Sequence, residues 1–215
     1  MPLLCVDLDN TLVDRAAAFE TFAHDWTAEL GRPDDAAWLI EIDGDGFTPR
    51  ETVADVVREK FGLSSARTDE LVSALRGGLV ERMTLEPAVA EALDRARAAG
   101  WTIVIVTNGS TRQQTRKVEV LGLNQWASAV VISEAAGVRK PDPEIFRLAS
   151  TAGGQPLEGA WMVGDSAAAD IAGAQAAGID SIWLQRGRVW PTELPPPTAF
   201  ADSLSDAVDR VVQDS

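Results

Sequence analysis

Cysteine, histidine and lysine are scarce in this chain. Its 215 residues include one cysteine, one histidine and three lysines. The lone Cys5 cannot form an internal disulfide. It lies inside an apolar run and reads as a buried, inert thiol. No window approaches the ~20 apolar residues of a membrane span. The amino terminus lacks the basic region, long apolar stretch and small-residue cleavage site of a leader segment. The expectation is a cytoplasmic protein with no membrane partner. Positive charge is short overall, with 19 Lys and Arg against 33 Asp and Glu, a net charge of -14. That balance argues against nonspecific nucleic-acid or anionic-membrane binding. It also repels small anions at long range, so an anion site needs local positive charge. The lysines are Lys60, Lys117 and Lys140, and this scarcity makes Lys140 informative.

The chain is long enough for one good-sized domain, or a core with a small insertion. Its hydrophobic fraction of 46% supports a packed core. Leu3-Leu4-Cys5-Val6 is an apolar run without polar interruption, which predicts a fully buried strand. It runs directly into Asp7-Leu8-Asp9-Asn10-Thr11. In open α/β sheets ligands bind beyond the carboxyl ends of the strands. Two carboxylates there, with ordinary pKa values of about 3.9, would repel each other at neutral pH. A divalent cation or a basic side chain would relieve the repulsion. A plain alternative is that Asp9 or Asn10 caps a following helix.

Residues 15–84 read as helices. Phe19, Phe22, Ala23, Trp26 and Leu30 share a helical face, and Gly31-Arg32-Pro33 stops it. Thr48 is a candidate N-cap with Pro49 at the first helical position. That helix runs to Phe61, and Ser64 or Ser65 caps another reaching about Met83. From Glu86 onward helices and strands alternate. Helices are expected near 87–99, 111–121, 142–152, 167–177 and 203–213, with strands at 102–107, 129–132, 160–164 and 180–184. Trp190 to Thr198 reads as a proline-rich surface loop. Alternation of this kind predicts a parallel sheet with helices on both faces.

Three later segments match the opening. Ile103-Val104-Ile105-Val106 leads into Thr107-Asn108-Gly109. Arg139-Lys140-Pro141-Asp142 follows a second strand, and Trp161-Met162-Val163-Gly164 ends in Asp165, with Asp170 beyond it. In order and spacing these resemble the four motifs of the haloacid dehalogenase-like (HAD) hydrolase superfamily, along nearly the whole chain. Val131 through Gly137, with Lys140 through Phe146, resembles its helical-cap subgroup and, within it, phosphatases and nucleotidase-like members acting on small phosphorylated metabolites. The resemblance implies a Rossmann-like core, residues 1–14 and 85–215, with a helical cap at 15–84 inserted after the first strand.

It further implies a magnesium-dependent phosphatase. Asp7 is then the nucleophile, forming an acyl phosphate, and Asp9 the general acid and base. Asp7, Asp9 through its backbone carbonyl, and Asp165 hold Mg2+, with Asp170 in the outer shell of the same metal group. Thr107, Asn108 and Gly109 bind phosphate, the first through its hydroxyl and the others through backbone N–H groups. Lys140 pairs with Asp7 and the phosphate oxygens. The substrate is a small phosphorylated metabolite, and the protein a monomer or homodimer.

A helical cap closes over such a site and selects the substrate, with Asp43 to Arg50 as the loop facing it. Arg50 is expected to be solvated at a helix start. Trp26, Trp38, Phe47 and Phe61 are expected in the cap core, Lys60 as surface charge and His24 as a bystander. One histidine argues against a histidine-based phosphatase. Asp9 argues against a dehalogenase. A sugar phosphomutase and a non-enzymatic regulator on the same fold stay open.

Overall fold

A computed structural model describes residues 1–213. The first strand, β1, covers Leu3–Val6 and is buried along its whole length. The chain then enters a separate compact unit, Asp14–Thr84, and returns to the first unit at Leu85.

The Asp14–Thr84 unit is helical. Its helices are α1 (Arg15–Glu29), α2 (Ala36–Asp43), α3 (Arg50–Lys60) and α4 (Thr68–Glu81). Asp14 caps α1, its carboxylate accepting from the Ala17 N–H at 3.0 Å. Phe19, Phe22, Leu39, Val53, Val57, Leu75 and Leu79 form its apolar interior. Gly78 lets α4 approach α1, because a Cβ there would overlap the Phe22 ring. Phe22 stacks on Trp26 at 5.5 Å, and Phe61 meets Trp26 and Trp38 edge-on.

Several expectations fail here. Phe47 is 77% exposed and belongs to no core, because it lies on the short turn after α2 rather than on a helical face. Arg50 is buried instead of solvated: burial pulls its guanidinium pKa down, and Asp43 resists the shift. Helix α3 starts after Pro49, with no side-chain cap from Thr48. Helix α4 starts at Thr68, beyond Ser64 and Ser65, because the Ala66 N–H first closes a turn onto the Leu63 carbonyl. Glu70 then reaches back to accept from the Arg67 N–H at 3.1 Å.

The other unit alternates. Its helices are α5 (Pro87–Ala98), α6 (Thr111–Val120), α7 (Ser133–Ala136), α8 (Glu144–Gly153), α9 (Ala172–Ala177) and α10 (Leu204–Gln213). Its further strands are β2 (Thr102–Thr107), β3 (Ala129–Ile132), β4 (Trp161–Gly164), β5 (Asp180–Leu184) and β6 (Ala199–Ala201). They form one sheet in the order β3-β2-β1-β4-β5-β6, every pair parallel. Leu3 and Cys5 of β1 and Val104 and Val106 of β2 pack toward α8 and α9, against Ile145, Phe146 and Ala174. Helices α5 and α10 pack on each other, and α10 also meets β4 and β5. Burial on both faces explains why the strands read as unbroken apolar runs.

This is an α/β fold with the expected parallel sheet. Strand β6 and helix α7 escape the sequence reading. Three and four residues long, they carry too little periodicity to register. The stretch 167–177 opens with a π-helical turn, Ala167–Ile171, before α9. The order reverses beside β1, which lies between β2 and β4. Such a switch point leaves a crevice at the carboxyl ends of the two strands on either side.

Candidate active site

The crevice is built from the residues that follow β1, β2 and β4. Asp7 leaves β1 with its N–H still bonded to the Val163 carbonyl of β4 at 3.0 Å. The chain then turns tightly. Asn10 takes φ +59, and its N–H reaches the Val13 carbonyl at 2.7 Å. Asparagine tolerates this left-handed conformation better than most side chains. The turn holds Asp9 beside Asp7 without continuing the sheet.

Lys140 is 3% exposed. It donates to Asp7 Oδ1 at 2.5 Å and to the Val106 carbonyl at 2.6 Å, and lies 2.7 Å from Asp170 Oδ1. Burial alone would lower the Lys140 pKa, but the Asp170 and Asp7 carboxylates outweigh it and raise it.

Asp7 shows the opposite imbalance. Burial, with smaller contributions from Asp170 and Asp165, pushes its pKa up to about 8 despite Lys140. Oxygens of Asp7, Asp165 and Asp170 all lie within 4.8 Å of one another. Three crowded carboxylates with hard oxygen donors fit a divalent cation of the magnesium type. Asp170 is fixed on its other side, since Oδ2 accepts from the Ser166 N–H at 2.9 Å. Gly164 makes room for it: a Cβ there would overlap the Asp170 carboxylate.

Asn108 acts as a clamp. Its amide donates to the Lys140 carbonyl at 3.0 Å and accepts from the Lys140 N–H at 2.9 Å. That reciprocal pair ties the loop after β2 to the lysine. The Thr107 hydroxyl is buried and accepts from Gln114 at 2.6 Å. The Gly109 N–H donates to Ser133 Oγ at 3.0 Å. The segment opening α7 lies against the Gly109 turn.

Three side chains here were not foreseen. Lys117 donates to both Asp9 oxygens, at 2.7 and 2.6 Å, and Gln114 donates to Asp9 Oδ2 at 3.0 Å. Arg188 donates to Asp165 Oδ2 at 3.0 Å and lies over the Trp183 ring at 5.4 Å. The scarcity that singled out Lys140 applied equally to Lys117. Arg188 carried no signal beyond its place just past the end of β5. Cys5 holds no surprise: burial pushes its thiol up to about 12, which keeps it protonated and inert.

A family model, described as haloacid dehalogenase-like hydrolase, matches residues 1–178. The chain belongs to the HAD-like hydrolases. A phosphoserine phosphatase of Thermus thermophilus is 37% identical over 64% of this chain and 55% of its own length. The chain thus spans about half the length of that curated relative. A phosphoglycolate phosphatase of Mesorhizobium japonicum is 30% identical over 86% of this chain and 83% of its own length. Among solved structures, the Bacillus subtilis HAD hydrolase YfnB, bound to magnesium, superposes with a TM-score of 0.73. It is 23% identical and covers 98% of each chain. That likeness concerns the HAD fold. Among the described residues no helix is long and apolar enough to cross a membrane.

Proposed function

We propose that this HAD hydrolase is a magnesium-dependent phosphatase of small phosphorylated metabolites, working through an aspartyl phosphate on Asp7. The observation that carries the reading is the Asp7–Lys140 contact inside a trio of buried carboxylates. An isolated nucleophile would lack the counter-charge to meet a phosphate. A structural ion pair would not need two further acids.

Asp7 attacks phosphorus in line, and the bond from phosphorus to the ester oxygen breaks. Asp9 gives its proton to the departing oxygen, so the alcohol leaves neutral. A water then attacks the acyl phosphate and passes a proton to Asp9. Inorganic phosphate leaves, and both aspartates return to their starting state. Lys140 holds Asp7 in place and offers positive charge to the phosphate oxygens. The Thr107 hydroxyl and the Asn108 N–H are the proposed phosphate contacts. The Asp7 and Asp165 carboxylates with the Asp9 backbone carbonyl would hold Mg2+, and Asp170 would sit behind them. The ion would shield the nucleophile from the anionic substrate and stabilise charge on the transferring group.

We assign substrate selection to the helical unit, which is inserted in the chain directly after the Asp9 loop. A dehalogenase reading is not favoured, because a departing halide takes no proton and leaves Asp9 without a task. The test is hydrolysis of p-nitrophenyl phosphate and a phosphometabolite panel, with magnesium and with chelator. Turnover by the wild type and its loss in Asp7→Asn support the reading. Equal rates in both proteins, or none in the wild type across the panel, refute it.

A further inference from the structure

We propose that Lys117 and Gln114 are positioning residues that hold Asp9 for its proton transfers. The proposal rests on the phosphatase reading above and deepens it. Helix α6 begins directly after the Thr107-Asn108-Gly109 loop. Gln114 and Lys117, three residues apart, lie on one face of it. Both are 2% exposed. Burying a lysine is costly unless it is paired and hydrogen-bonded. The partner of Lys117 is the acid two residues beyond the proposed nucleophile, and Lys117 Nζ grips both of its oxygens.

Gln114 adds a link. Its amide donates to Asp9 Oδ2 and to the Thr107 hydroxyl, at 3.0 and 2.6 Å. One side chain therefore fixes the proposed acid relative to a proposed phosphate contact. A carboxyl group held by two side chains loses rotational freedom, which keeps it in place for proton transfer. The Asp9 side chain is 23% exposed.

Lys140 contacts Asp7, and Lys117 contacts Asp9. A well-placed acid matters most when the leaving oxygen is basic and depends on receiving a proton.

That dependence gives the test. Wild type, Lys117→Met, Lys117→Arg and Gln114→Leu are assayed with magnesium on p-nitrophenyl, phenyl and p-methoxyphenyl phosphate. The readout is kcat/KM along this series of increasingly basic leaving groups. In Lys117→Met the loss is expected to be at least ~10-fold larger for phenyl than for p-nitrophenyl phosphate, within the range that acid catalysis supplies. Gln114→Leu should tilt the series the same way by less, and Lys117→Arg should recover part of the loss. A loss equal along the series would show that Lys117 only supports the fold, and would overturn the proposal. If Lys117→Met loses its cooperative melt, Lys117→Arg and Gln114→Leu decide, and slopes parallel to wild type in both overturn it. A wild type inactive on every aryl phosphate would refute the phosphatase reading itself, and the proposal with it.

Discussion

In the helical unit Arg15 and Arg50 close on Asp43, while in the sheet unit Asp7 and Asp170 close on Lys140 with Asp165 beside them. Both clusters bury charge. The helical one is balanced. Asp43 accepts from Arg15 at 3.0 and 2.8 Å, from Arg50, and from the Gly46 N–H at 2.9 Å. Asp45 adds a second acid on Arg15 at 3.2 Å, and both guanidinium groups lie over the Phe19 ring. Two acids meet two bases, and the knot closes on itself. In the sheet unit, acids outnumber bases. Two of the three carboxylates share one buried lysine, and the third, Asp165, meets half-exposed Arg188. Buried charge alone therefore does not mark a site. Uncompensated buried charge does, because it creates a demand that a ligand can meet.

Substitutions on the two sides should have opposite consequences. Asp7→Asn should reduce turnover by about 10⁴-fold or more, as loss of a nucleophile does. It should leave the melting temperature unchanged or higher, since it relieves the crowding of three buried acids; a large drop would erase the contrast. Asp43→Ala strands two buried guanidinium groups and should cost ~3–5 kcal/mol of stability by denaturant titration. A cost near zero would mean that the helical knot is as uncompensated as the acid cluster. Next in size is magnesium. At a concentration about 100-fold above its dissociation constant it should stabilise the protein by about 2.7 kcal/mol. Asp165→Asn should abolish that gain in a thermal melt, and Asp43→Ala should retain it. The smallest effect is on pH. In chelator-treated protein the raised Asp7 pKa favours the folded state below the unfolded value of 3.8. That contribution is lost as pH rises through about 8. Stability should therefore fall across this window, and Asp7→Asn should flatten the slope.

The sheet was legible because strands buried on both faces leave a loud signature. Ile103 to Val106 and Leu3 to Val6 could be read in isolation. The acids at their ends were legible for the same reason, since a strand end fixes where the next residue goes. Legibility stopped where position depends on how an element docks. Lys117 reaches Asp9 across 108 residues of sequence, through the packing of α6, and no local pattern encodes that distance. Arg50 is buried because Asp43, seven residues earlier, turns back toward it through Gly44 and Gly46. Phe47 failed the other way: an aromatic residue near helices was assigned to the core, although its turn faces water.

Two of the three lysines lie walled in beside the acids, while Lys60 stays partly open next to Asp35 and the Trp38 ring. The folded chain thus presents one reachable side-chain amine besides its α-amino group. An acylating dye or an amine-coupled sensor surface would attach at Lys60 or the terminus and spare the crevice. Labelling stoichiometry would then rise toward three side chains only as the protein unfolds.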